Sequence, residues 1–257
     1  MFPYLIAGAI GFAVAKIFEE DEAPKYADGG SVLLAPNGKP SNLSPEQYKL
    51  VRTPEFKAWF GDWQNDPANA SKVVDEETKE PLVCYHGTPN ATFSKFQNGL
   101  NFFSENKDYA DNYKSTISSS RTYGKTRTKE GTYQVFLNLK NPFEPRKDII
   151  SKKIVNSFFN DTGTEWMSLT SQLTERGLLE WIDVDNFDEW LSENKIKNFD
   201  GYIVDETSIL NEKNEVIWRG IGYVTTKPNQ IKLADGTNTT FDSNNPDIRF
   251  KRGGRTL

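Results

Sequence analysis

The sequence predicts an α+β fold, and three observations carry that expectation. Strand-like runs at 81–86, 93–96, 101–104, 132–139, 200–204, 215–218, 222–226 and 229–233 are mixed with helical segments near 105–115, 148–160, 165–181 and 186–195. They lack the regular alternation that builds a doubly wound sheet. Aromatic residues make up 13% of the chain, which favours strands and ring-lined clefts. No G-x-G-x-x-G or Walker pattern occurs, so the common nucleotide cradles are absent. At 257 residues there is enough chain for one domain with attachments.

The first segment is made of different material. Residues 2–18, FPYLIAGAIGFAVAKIF, are apolar except for Lys16, and Glu19-Glu20-Asp21-Glu22 follows at once. Spanning a bilayer takes about 20 apolar residues and at least about 17. Lys16 sits near the end, where its stem can reach the interface. Nothing positive precedes the run, as it would in a cleaved signal peptide. Residues 1–18 are therefore expected as an N-terminal transmembrane helix, with a signal peptide or a buried helix as rivals. Residues 19–43, rich in proline, glycine pairs and charge, are expected as a tether, and 44–257 as the domain with a basic tail.

Two helix starts open that domain. Ser44-Pro45-Glu46-Gln47 offers an N-cap, a proline at the first helical position and a capping-box partner. Thr53-Pro54 repeats the signal ahead of Phe56, Trp59, Phe60 and Trp63, which share one helical face and read as core. Residues 114–131 are polar and read as a loop.

The charge balance excludes some functions. A net charge of -5 gives no broad basic field for coating nucleic acid, and the tail Arg249, Lys251, Arg252, Arg255 reads as a solvated terminus. One cysteine and one histidine exclude an intrachain disulfide and leave a nitrogen/sulfur zinc site without its ligands, so no metal is expected. Cys84 and His86 lie two apart in a strand and share a face, so a cysteine nucleophile is a minor rival reading.

His86, in Pro81-Leu82-Val83-Cys84-Tyr85-His86-Gly87-Thr88, is the chain's only imidazole and ends an apolar strand pattern. Fifteen residues on comes Asn101-Phe102-Phe103-Ser104, then Tyr109-Ala110-Asp111-Asn112-Tyr113, and late in the chain Tyr223-Val224-Thr225-Thr226-Lys227-Pro228-Asn229-Gln230-Ile231-Lys232. Together these runs resemble the ADP-ribosyltransferase superfamily, on the branch of diphtheria toxin and the poly(ADP-ribose) polymerases. Phe56-Lys57-Ala58-Trp59-Phe60-Gly61-Asp62-Trp63, Ser71-Lys72-Val73-Val74-Asp75 and the ending Phe241-Asp242-Ser243-Asn244-Asn245-Pro246-Asp247-Ile248-Arg249-Phe250 make it most similar to such domains in phage and mobile-element polyvalent proteins. The resemblance covers about 45–250.

It implies a split β-sandwich with flanking helices that binds NAD in a cleft between two antiparallel sheets. Phe102 and Tyr113 would flank the nicotinamide, a flat cationic ring suited to aromatic faces. Gly87 would meet the carboxamide through its backbone. His86 would hold a ribose hydroxyl and Thr88 a second, with Ser104 and Ala110 completing the cofactor site; Ala110 stands where the family often has a serine. The transition state on glycosidic cleavage is oxocarbenium-like and wants a carboxylate. The family's glutamate precedes the last strand's tyrosine, and here that position is Gly222. Substitutes within the chain are Glu206, Asp205, Glu215 and Gln230. The expectation is a membrane-tethered, phage-encoded protein that binds NAD and transfers ADP-ribose to a protein or nucleic-acid acceptor through His86, Gln230 and Glu206. An inactive virion or membrane protein reusing the fold is the alternative.

Overall fold

The computed structural model describes residues 32–114, 129–147, 149–163, 184–196, 199–210 and 216–249, with side chains 206–210 and 216–219 left out. The expected membrane anchor, the first part of the tether, the expected helix at 165–181 and most of the loop at 114–131 lie outside them. Among the described residues no helix is long and apolar enough to cross a membrane. Residues 32–43, read as tether, fold onto the domain. Ala35 and Leu43 are buried, and the Ser41 hydroxyl donates to Glu80 at 2.5 Å.

Both expected helix starts form. Helix α1 (Pro45–Leu50) is closed by a reciprocal pair: the Ser44 hydroxyl accepts the Gln47 N–H, and the Gln47 side chain accepts the Ser44 N–H. Helix α2 (Pro54–Phe60) starts at Thr53, whose hydroxyl accepts the Phe56 N–H without a reciprocal bond, and buries Phe56, Trp59 and Phe60. With Trp63, Phe136 and Phe241 these form one apolar cluster.

Six strands follow: β1 (Cys84–Thr88), β2 (Asn101–Ser104), β3 (Gly131–Leu137), β4 (Gly201–Leu210), β5 (Val216–Thr225) and β6 (Ile231–Leu233). They pair antiparallel in the order β4-β5-β2-β1-β3-β6. Among the described residues the remaining helices are α3 (Lys107–Asp111), α4 (Ile149–Thr162) and α5 (Val184–Glu193). The runs at 215–218 and 222–226 are a single strand: Gly222 pairs with Val204 and Ser104, and Gly220 sits at the register shift between Asp205 and Ser208. Residues 93–96 form no strand. Phe93 and Phe96, three apart in an irregular segment, both pack into the core, which alternation in a strand would forbid.

Instead of two separate sheets the described residues form one, nearly divided in the middle. β1 and β2 share one registered pair, Tyr85 with Ser104, whereas β1 and β3 share five. One face carries a continuous core of Cys84, Phe103, Tyr133, Val135, Ile203 and Tyr223. On the other face, Tyr202, Val204 and Val224 pack with α4 and α5, while Phe136 packs with α1 and α2. Alternation along the strands turns Tyr85, Gly87, Phe102, Ser104 and Gly222 towards this second face, at the near-division.

Candidate active site

A pocket of about 280 Å³ lies where β1 and β2 stop pairing, lined by Tyr85, His86, Gly87, Phe102, Ser104, Tyr109, Ala110, Tyr113 and Gly222 among others. Its volume is at the small end for ligand sites and suits a single flat ring. His86 bridges the gap between the strands. Its Nδ1 lies 2.8 Å from the Phe102 carbonyl oxygen, and as the carbonyl can only accept, Nδ1–H donates and Nε2 is left as the acceptor. Burial pushes the imidazole's pKa below its ordinary value, partly opposed by this hydrogen bond, so the ring is neutral at neutral pH.

The second wall is α3. Ser104 starts it by accepting the Asn106 N–H through its hydroxyl, and Asn106 caps it by accepting the Tyr109 N–H. Asp111 ends it, accepting from the Thr132 hydroxyl at 2.5 Å and pairing with Lys107 and Lys114. The helix lies directly on Gly87, where an added Cβ would fall 1.7 Å from the Ala110 carbonyl oxygen. The space that glycine leaves at this side is therefore filled by α3, and helix packing requires the glycine. Tyr113 sits at the rim, 39% exposed, its hydroxyl 3.1 Å from that of Tyr109.

The structure thus brings together seven of the residues singled out: His86, Gly87, Phe102, Ser104, Ala110, Tyr113 and Gly222. Thr88 does not line the pocket; it is buried, and its hydroxyl accepts the Asn90 N–H. Gln230 is also elsewhere. Its side-chain oxygen accepts the N–H groups of Thr226 and Lys227 and its amide donates to the Asp200 carbonyl, so it staples the single 3-10 turn Pro228–Gln230. Glu206 lies in β4 beside a register shift, and its side chain is outside the described residues. Cys84 is buried in the core away from the pocket, a poor setting for a nucleophile.

Gly222 faces the pocket across from Ser104 and Val204. Two carboxylates stand near it in the fold: buried Asp205, registered with Ile221 in the ladder, and Glu105, which accepts the Ile221 N–H at 3.2 Å and has its pKa raised by burial. Glu105 alternates with Ser104, so it leaves the strand towards the opposite face. Tyr109 was not singled out as a pocket residue from the sequence. Its signal was the spacing of four to Tyr113, which puts both rings on one helical face.

A family model described as ADP-ribosyltransferase in polyvalent proteins matches residues 76–241, from ahead of β1 to beyond β6. The chain belongs to this family. No curated protein and no solved structure matches the chain. The matched span contains the six-stranded antiparallel sheet and every pocket residue, and the sheet fits an ADP-ribosyltransferase-like fold. Helices α1 and α2 and residues 242–249 lie outside the match and pack against it.

Proposed function

We propose that the pocket binds NAD and that the chain transfers ADP-ribose to a protein or nucleic-acid acceptor. The observation that carries this reading is the convergence of His86, Gly87, Phe102, Ser104 and Tyr113 on one small, aromatic-walled cavity inside the matched span. NAD would supply a positively charged ring that leaves with the electrons of its glycosidic bond. Phe102 and Tyr113 offer aromatic faces to such a ring. Neutral His86, with Nδ1–H committed to the Phe102 carbonyl, offers Nε2 to a ribose hydroxyl. The fit favours the nicotinamide end, because the cavity takes one ring and its walls are mostly apolar.

A second reading is supported by Gly222. The pocket face has no carboxylate at the family's glutamate position, and losing a preorganised group of that kind costs about 10²–10³ in rate. On this reading the chain binds NAD and does not transfer, acting as a ligand-binding part of a membrane or virion assembly. Gly222→Glu separates the two. For a transferase slowed by the missing carboxylate, nicotinamide release rises by about 10² or more in the variant, with NAD affinity little changed. If the variant binds NAD and still releases nothing, transfer is not this chain's work.

A further inference from the structure

We propose that residues 241–249 form a strap that positions His86: they hold the irregular segment 89–100 against β1, and Phe96 of that segment fixes the imidazole. The proposal rests on the NAD reading for its functional consequence and on the contacts alone for its mechanism.

The strap wraps round the β6 edge of the sheet. Phe241 is buried in the cluster on the α1–α2 face, and Ile248, fully buried, belongs to the core on the opposite face. Between them the Lys232 ammonium donates to the Asn245 and Asp247 carbonyls. The Leu233 N–H donates to the Ile248 carbonyl at 3.1 Å, covering an edge that would otherwise be open.

From there the strap reaches the segment before β2. The Ile248 N–H donates to the Ser94 carbonyl at 2.9 Å. An Arg249 guanidinium N–H donates to the Phe93 carbonyl at 3.1 Å, and the same carbonyl accepts the Tyr133 hydroxyl at 2.7 Å. This segment has no ladder of its own: the Ala91 N–H donates to the Lys129 carbonyl and the Gly99 N–H to the Thr226 carbonyl near its two ends, and between them the strap bonds and the two rings hold its middle. Phe93 lies 4.9 Å from Phe96 and 4.8 Å from Tyr133 between ring centroids.

Phe96 meets His86 edge-on, with centroids 5.1 Å apart and planes at 78°, and Phe103 closes on both rings at 5.4 Å. His86 is thus held from two directions, by the Phe102 carbonyl on Nδ1 and by an apolar wall whose outer support is the strap. The titratable side chains of the surrounding core are Cys84, Tyr133 and Tyr223, with Tyr85, Tyr109 and Tyr113 lining the pocket. None of these side-chain types has an ordinary pKa between 5 and 8, so the wall sets the imidazole's polarity without a charge of its own.

His86 is the chain's only histidine, so its imidazole resonance can be followed through pH in the full chain without assignment. In Phe96→Ala, water reaches the ring and the midpoint rises by about half a unit or more, with Phe96→Leu restoring most of the difference. Ile248→Ala and Arg249→Ala, on the strap itself, shift the midpoint the same way and, by letting the ring move, weaken NAD binding at neutral pH by less than His86→Ala does. If both strap variants keep the wild-type resonance and midpoint, the proposal is overturned, whatever Phe96→Ala does, including failing to fold. If the wild type binds no NAD, the reading of the pocket fails instead, and the imidazole titration still decides on the strap.

Discussion

Gly87→Ala puts a methyl group 1.7 Å from the Ala110 carbonyl oxygen, and the neighbour it meets is helix backbone that cannot rotate away. We expect the variant to lose about 1–3 kcal/mol of stability by denaturant titration, and to bind NAD more weakly because α3 carries Tyr109 and leads into Tyr113. Unchanged stability would mean that α3 sits further from β1. Most residues of this pocket were legible through the family resemblance, since His86, Gly87, Phe102, Ser104, Ala110 and Tyr113 stand in the short runs that carry it. Thr88 and Gln230 were misplaced for a common reason. A polar side chain near a motif can equally serve the local turn, as both do here, and spacing does not distinguish the two uses. Phe96 left no signal, because its contact with His86 depends on a non-repetitive path.

Among the elements, the two helix starts were legible because caps are local chemistry, with Ser44 and Thr53 each accepting an N–H three residues on. The sequence divides strand β5 into two runs because glycine is depleted in strands, yet Gly222 lies within its ladder and Gly220 at its register shift. The edge strap was not legible, since it is held by Lys232, a residue type that is seldom buried. Burial lowers the Lys232 pKa from 10.5 to about 8, with Asp242 and Asp247 opposing the shift. Between those values the unfolded chain binds a proton that the folded chain lacks, so stability rises with pH across the window. We expect the wild type to gain stability relative to Lys232→Met as pH rises from about 8 to about 9.5, by on the order of 1 kcal/mol in paired denaturation curves. A flat difference would show that the ammonium is not desolvated in the fold.

For the molecule as a whole, the sheet's near-division at β1 and β2 makes the pocket, and the family match covers every strand around it. The α+β class was legible from mixed strands and helices, but the joining of two expected sheets into one was not, because it turns on the single pair Tyr85–Ser104. We further propose attachment to a membrane through residues 1–18, on the strength of the apolar run from Phe2 to Phe18. Cell fractionation should then place the full chain with membranes and release it when residues 1–18 are deleted. Recovery of the full chain in the soluble fraction would contradict attachment. The central claim is that this pocket binds NAD through His86. Titrating NAD into the full chain and its His86→Ala variant by calorimetry, with nicotinamide measured in the same samples, tests it most directly. The account predicts binding heat for the wild type that falls at least about ten-fold in affinity in the variant, whether or not nicotinamide is released. Equal binding by the two proteins, or none by the wild type, would contradict it.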